Sequence, residues 1–462
     1  LPAAAEDMAL IGHMAAFPRY QGTGSSRVNP TRLVSLRDAL PDAPFLACCD
    51  QDGNVTEQAL EEAAALARTA RVAVVVAGLP DISESEGFDR RDLSLPEGHN
   101  RMIQTVAGAN PNTVVVLLGG GPMELPWLDQ IPAVLYMGLP GQAGGQACAD
   151  LLTGRACPCG KLAETWPLSQ EDLISRDSFG RREVEYRESV YVGYRYYDKA
   201  NKAVAFPFGH GLSYTQFVYS GLEVSETAVS VTVTNTGKCS GAEVVQLYLF
   251  PPQGGLHRPL KELKGFARVE LAPGESQRIT FPLNRRSFSL WQDGWRVAAG
   301  DYGVLLGSSS RDIRLWQRIQ LEGETIPAPV WQPGSWYETM FGLPPRVTWI
   351  GMLGRSVTLA AKPTWPVWGK FTMDNSCLEM REWTPVIELM YGIIKWYVSR
   401  CFGGDHTNPS YRMMLACAVD CPLRALVINS GGRVPAWLLK LLLEIANGRW
   451  WQGWWLPLPS FP

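Results

Sequence analysis

Between Ser83 and Pro96 the chain reads Ser-Glu-Ser-Glu-Gly-Phe-Asp-Arg-Arg-Asp-Leu-Ser-Leu-Pro. Carboxylates at Glu84, Glu86 and Asp89, arginines at 90 and 91 and a glycine at 87 thus fall within a few residues of one another. Carboxyl groups held close together can exchange protons with a bound molecule. The same residues also make an ordinary solvated loop, so the case for chemistry rests on what positions them.

The loop follows Val72-Ala73-Val74-Val75-Val76-Ala77-Gly78, a continuous β-branched run that suits a parallel strand buried on both faces. Ligands of open α/β sheets bind beyond the carboxyl ends of such strands. After Leu95-Pro96-Glu97-Gly98 a helix-compatible stretch runs to Ala109, stopped by Asn110-Pro111-Asn112, and a second strand is predicted from Thr113 to Leu118. The turn Gly119-Gly120-Gly121-Pro122-Met123-Glu124 comes next, then a strand from Val134 to Gly138 leading into Leu139-Pro140-Gly141-Gln142. Upstream, Met8 to Gly12 reads as a first strand, residues 17–30 as a glycine-rich loop, and Thr56 as the cap of a helix carrying Leu60, Ala64 and Ala67 on one face. Neither glycine-rich stretch binds a nucleotide. Gly22-Thr23-Gly24 lacks both the third glycine and a Lys-Ser/Thr ending, and Gly119-Gly120-Gly121 is followed by Glu124 where the dinucleotide fingerprint has glycine.

Six words in this order resemble the C-terminal half of family 3 glycoside hydrolases, the β-glucosidase family. They are the Ser83–Pro96 loop, the glycine turn, Leu139 to Gln146, Cys159-Gly160-Lys161-Leu162-Ala163-Glu164-Thr165-Trp166-Pro167, Val192-Gly193-Tyr194-Arg195-Tyr196-Tyr197 and Phe206-Pro207-Phe208-Gly209-His210-Gly211. The family carries an Arg-Tyr-Gln-Gly-x-Gly-Ser-Ser loop near the mouth of its active site, which implies a site role for Arg19, Tyr20, Gln21 and Gly22. Its usual Asn-Gly-Ser-Pro turn is replaced here by Gly119 to Pro122, and the extra glycines are expected to loosen it.

Net charge is −3 and charged residues make up 19 % of the 462, so nothing draws the chain to nucleic acid or an anionic membrane. No apolar run is long enough to span a bilayer; Ala436 to Ala446 is interrupted by Lys440 and Glu444. The ten cysteines form neither a C-x-x-C pair nor a secreted framework, and free thiols in a reducing cytoplasm are expected. No metal or organic cofactor is implied. With Leu1 in place of Met and no leader, the chain reads as a fragment.

The fold class expected is an α/β sandwich, a mostly parallel sheet with flanking helices, over residues 1–216, including a segment that crosses to the next domain. Charges at Arg181 to Glu188 in that segment read as a solvated scaffold. Residues 217–324 are expected to form a fibronectin type III-like β-sandwich, from short alternating strands divided by Asn235-Thr236-Gly237-Lys238 and Ala272-Pro273-Gly274-Glu275. Residues 325–462 form a linker and an α-helical region. One helix is predicted over Glu379 to Arg400, with an apolar stripe at Trp383, Ile387, Met390, Ile394 and Tyr397, and another over Trp437 to Asn447 before Gly448. The aromatic cluster Trp450 to Trp455 is expected to pack on a partner domain rather than to stack on sugar.

The resemblance implies a retaining mechanism, which needs two carboxyl groups about 5–5.5 Å apart, one a nucleophile and one an acid/base. In the family the nucleophile is an aspartate on an N-terminal (β/α)8 barrel and the acid/base a glutamate in an S/G-E-G-Y/F word. Glu86, followed by Gly87 and Phe88, matches that word, and Glu84 is the second choice. Asp89 and Arg90 are expected to fix the loop, and Gly87 to let the backbone approach the sugar. Retention of Glu86 argues against the hexosaminidase branch. No barrel pattern and no Ser-Asp-Trp-like word occur, so the partner expected is the parent protein's own barrel, the substrate a β-glycoside, and the isolated chain inactive. The alternative is a non-catalytic carbohydrate-binding or interaction module. Uncovered, Glu86 should titrate near its ordinary value of about 4.3.

Overall fold

The computed structural model describes residues 4–87, 89–179, 184–252, 256–327, 334–353, 367–406 and 408–449. Strands β1 (Met8–Ile11), β2 (Phe45–Leu46), β3 (Val72–Gly78), β4 (Thr113–Leu118) and β5 (Ala133–Gly138) run parallel in the order β2-β1-β3-β4-β5. The chain passes through β1 to one edge and then crosses to β3, so the strand order reverses between β1 and β3. Their carboxyl ends therefore diverge at a topological switch point, where open α/β sheets leave a crevice.

Alternation explains why β3 is apolar throughout. Ala73, Val75 and Ala77 pack against helices α2 (Glu57–Thr69) and α3 (Glu97–Ala109), with Leu60, Ala63, Met102, Ile103 and Val106 in the same core. Val72, Val74 and Val76 face the other way, into a core shared with Leu36, Leu40, Cys148, Ala149 and Leu152. Those residues belong to α1 (Leu36–Ala39) and α4 (Gly144–Thr153) or their flanks. Asn110 stitches one side together by donating from Nδ2 to the carbonyls of Ala67 and Ala70, both at 2.8 Å.

The sandwich runs from Phe217 to Leu321. Glu262–Leu271, Gly241–Phe250, Gly300–Gly307 and Ile313–Leu321 form one antiparallel sheet in that order, and Ser276–Pro282, Ala228–Asn235 and Phe217–Val224 the other. Val229, Val231 and Val233 of one sheet meet Val245, Leu247, Val304 and Leu306 of the other. Three of the six sequence words, those at 159–167, 192–197 and 206–211, clasp this sandwich to the α/β domain. Leu162 and His210, and Gly209 and Leu162, pair through their backbones; Lys161 Nζ lies 3.0 Å from Glu243 Oε1. Gln246 donates to the carbonyls of Gly209 and Ser308, and Tyr194 stacks on Phe208 while its hydroxyl accepts from Leu263 N.

The helical region differs from its sequence reading. The expected helix over Glu379 to Arg400 is broken into Cys377–Met380 and Pro385–Cys401, because Pro385 has no N–H to donate and sits at the first turn behind the Thr384 cap. Of its predicted stripe, Ile387, Met390 and Ile394 join the core, whereas Trp383 and Tyr397 are more than half exposed. Helices Pro409–Asp420 and Leu423–Asn429 had no distinct signal in the sequence, and Ala436–Ala446 ends before Gly448, whose φ of 74° suits a left-handed stop. The charged crossing segment is less solvated than expected. Glu185 pairs with Arg187 and Arg346, and Glu188 is buried; Arg181 to Glu183 lie outside the described residues, as does Trp450 to Trp455.

Two stability measurements follow from these cores. Ile103→Ala removes fully buried carbons between α3 and the sheet and should cost about 2–5 kcal/mol in a urea titration. His99 of α3, whose Nδ1 donates to the Gly78 carbonyl at 3.0 Å, is pushed by burial from 6.5 down to about 4. The unfolded chain thus takes up a proton at this position below pH 6.5 that the folded chain refuses until about pH 4. Stability should fall as pH drops through that window, and His99→Gln should flatten the slope.

Candidate functional site

The loop after β1 and the loop after β3 meet at the switch point, and Arg19 holds them together. Its side chain is 4 % exposed. Nη1 donates to the Leu79 carbonyl at 3.0 Å and to Glu84 Oε2 at 2.6 Å, Nη2 donates to the Glu84 carbonyl at 2.8 Å, and Nε lies 3.3 Å from Asp81 Oδ1. Glu84 is bound a second time, since the Gly120 N–H donates to its Oε2 at 2.9 Å and its Oε1 at 3.1 Å. A Cβ at Gly120 would come within 2.9 Å of that carboxylate, so the glycine is there to admit it. The turn is pinned rather than loose: Tyr136 donates its hydroxyl to Gly119 O at 2.8 Å, and Gly119 N donates to Gly138 O. Glu164 stands beside this turn, raised above the usual carboxylate range by burial and then by the charge of Glu84.

Glu86 is handled differently. Its backbone N–H donates to Thr23 O at 3.0 Å, and its Oε2 accepts from Ser25 N at 2.6 Å. The carboxyl group forms no ion pair among the described residues and is exposed to solvent. Donation from the Ser25 N–H holds its pKa below the usual glutamate range, a correction to the near-ordinary titration expected from sequence. Gly24 makes this contact possible. Its φ is 126°, and a Cβ there would lie 2.5 Å from both Cβ and Oε2 of Glu86.

The remaining sequence candidates divide between support and surface. Gln21 closes its own loop, accepting from Val28 N at 2.8 Å and donating to the Val28 carbonyl and the Tyr20 hydroxyl, and Tyr20 O accepts from Gly141 N. Gly22 sits against Ser26. Among the described residues, none of the three hydrogen-bonds to Glu86. Arg90 Nη1 donates to Pro122 O at 2.7 Å, tying its loop to the turn after β4, and burial lowers its pKa. Asp89 is exposed, Gly87 has a φ of 97°, and Phe88 lies outside the described residues. A cleft of about 190 Å³ opens beside Arg19, lined by His13, Phe17, Asp81, Pro409 and Arg412 among others.

Comparison with known proteins decides the family. Residues 1–214 match the glycosyl hydrolase family 3 C-terminal domain, and residues 243–310 match the fibronectin type III-like domain. The chain belongs to glycosyl hydrolase family 3. Thermostable beta-glucosidase B of Acetivibrio thermocellus is 44 % identical over 335 residues, which is 68 % of this chain and 44 % of that protein. An exo-alpha-(1->6)-L-arabinopyranosidase of Bifidobacterium breve is 41 % identical over 73 % of this chain and 47 % of its own length. The crystal structure of a Bifidobacterium adolescentis GH3 beta-glucosidase superposes with a TM-score of 0.68 at 38 % identity, over 76 % of this chain and 54 % of that one. The family 3 chain described here thus spans about half the length of the relatives it matches.

Several residues of the site were missed by sequence reasoning. Gly24 and Ser25 stood inside the quoted Arg-Tyr-Gln-Gly word but gave no sign that they contact Glu86, 61 residues beyond Ser25. Asp81, Gly120 and Glu164 enter through contacts between loops that are distant in sequence. In this family 3 chain the Ser25 contact is directly measurable. A ¹³C titration of Glu86 should give a midpoint below about 4.3, and Gly24→Ala, which drives the carboxylate off Ser25, should return it upward; a wild-type midpoint at or above that value contradicts the contact.

Proposed function

We propose that this chain supplies the acid/base half of the active site of a retaining β-glycosidase that cleaves terminal β-D-glycosidic bonds. Glu86 gives a proton to the leaving oxygen and later takes one from the attacking water, and an aspartate nucleophile comes from a (β/α)8 barrel. The observation that carries this reading is the division between the two loop glutamates. Glu84 is committed to Arg19 and Gly120 N, whereas Glu86 is oriented by a backbone N–H and left open to solvent at the switch point. The second-choice acid is thereby the anchor of the loop, and Arg19 acts through it. The β-glucosidase and arabinopyranosidase among the relatives support the reaction class.

As it stands Glu86 is ionised at neutral pH, which suits a base and not an acid. A barrel closing over the loop removes water from the carboxyl group and raises its pKa, as an acid catalyst requires. The chain alone should therefore hydrolyse nothing at a useful rate.

Three samples test this with an aryl β-glucoside: the chain alone, the chain with a family 3 barrel, and the same mixture carrying Glu86→Gln. Hydrolysis is expected only in the second, with a loss of about 10²–10⁴-fold in the third. Hydrolysis by the chain alone would place a nucleophile within these residues. An active Glu86→Gln mixture would remove Glu86 from the chemistry.

A further inference from the structure

The helix Pro409–Asp420 has two faces. Leu415 and Val419 pack into the core of the helical region. Residues 409, 413, 417 and 420 recur at helical spacing on the other side, where side chains three and four apart align. That side meets the glutamate loop. A Cβ at Gly87 would come 2.6 Å from Cys417 Sγ and 3.0 Å from the Met413 carbonyl oxygen. A Cβ at Gly24 would meet Glu86 on one flank and, at 3.2 Å, Met413 Sδ on the other. Gly24 and Gly87 both hold positive φ. The two backbone positions that fix Glu86 thus lie directly against this one helix, with no room for a single added carbon. Pro409 and Arg412, one turn earlier, close the cleft beside Arg19 and Asp81.

We infer that the helical region is part of the active-site framework, with Met413 and Cys417 as positioning residues that press the Gly24 and Gly87 backbones together and so keep Glu86 on the Ser25 N–H. This rests on the reading of Glu86 as acid/base, and it gives the region after the sandwich a role in the reaction. The physical case is steric. The Glu86 loop is exposed on its open side, and a loop whose glycines permit many backbone conformations holds one only when its neighbours exclude the rest. Burial and the nearby Glu86 charge both raise the Cys417 thiol, in keeping with this closeness.

The test uses the whole chain and no substrate. In wild type the Ser25 and Glu86 amides, both hydrogen-bonded, should exchange slowly with solvent. Cys417→Trp places a large side chain against Gly87 and should speed both by at least tenfold and bring the Glu86 titration midpoint up to that of a free glutamate. Cys417→Ala, which withdraws the sulfur from Gly87, should move both readouts in the same direction by less. Val74 and Val76 amides in β3 report whether the fold survives. If they also lose protection in Cys417→Trp, then Met413→Ala, which withdraws the sulfur from Gly24, serves with the same readouts and the same expected direction. A folded Cys417→Trp or Met413→Ala chain with unchanged exchange at Ser25 and Glu86 and an unchanged midpoint overturns the inference. Since neither readout needs catalysis, that result leaves Glu86 as acid/base standing; an active Glu86→Gln mixture would instead remove the acid/base role while leaving the helix contact in place.

Discussion

The buried guanidinium of Arg19 is the constraint on which the site depends. Removing a guanidinium from water is costly unless its donors find partners, and here carbonyls and carboxylates from one loop supply them. The same exchange satisfies Asp81 and Glu84, which would otherwise sit as like charges at the end of β3. A cation from the loop after β1 and anions from the loop after β3 thus close the crevice that the strand order opens. Losing Arg19 would leave Asp81 and Glu84 without the cation they share and release the loop at its root.

From that anchor the two glutamates acquire opposite characters although only Ser85 separates them. Glu84 points inward, to Arg19 and Gly120, and Glu86 points outward, to Ser25 and solvent. Residues two apart in an extended segment would face the same side, so it is the turn through Ser83 to Gly87 that sends one carboxylate to Arg19 and the other to Ser25 and solvent. Glu164, raised by burial and then by the charge of Glu84, shows what the region does to a carboxyl group that has no ion pair among the described residues. The environment sorts the acids.

How much of this was legible follows from the range of the interactions. The parallel sheet, the strand-to-loop position of the acids and the sandwich were readable, because burial on both faces of β3 writes a continuous apolar run and burial on one face of each sandwich sheet writes an alternating one. Sequence also marked Glu86, Glu84, Arg19 and Arg90, but not their division of labour. That division is set by Gly120 N and Ser25 N, backbone donors that any residue type carries. The break before Pro385 was misread because an apolar stripe continues across a proline that the helix itself cannot cross. The packing of Met413 and Cys417 on Gly87 left no trace at all, since a residue that merely fills space leaves no pattern.

The open side of Glu86 has a thermodynamic consequence. A neighbouring domain that covers this carboxylate without bringing a cation must either bury a bare charge or take a proton from solvent, and the second is far cheaper. Docking and proton uptake then become one equilibrium. Docking of such a domain would tighten as the medium becomes more acidic, until the carboxyl is already protonated in the open chain. The Ser25 N–H widens that range by holding the open form ionised to lower pH. Seen this way, the short bond from Ser25 sets the difference in proton affinity that assembly must cross.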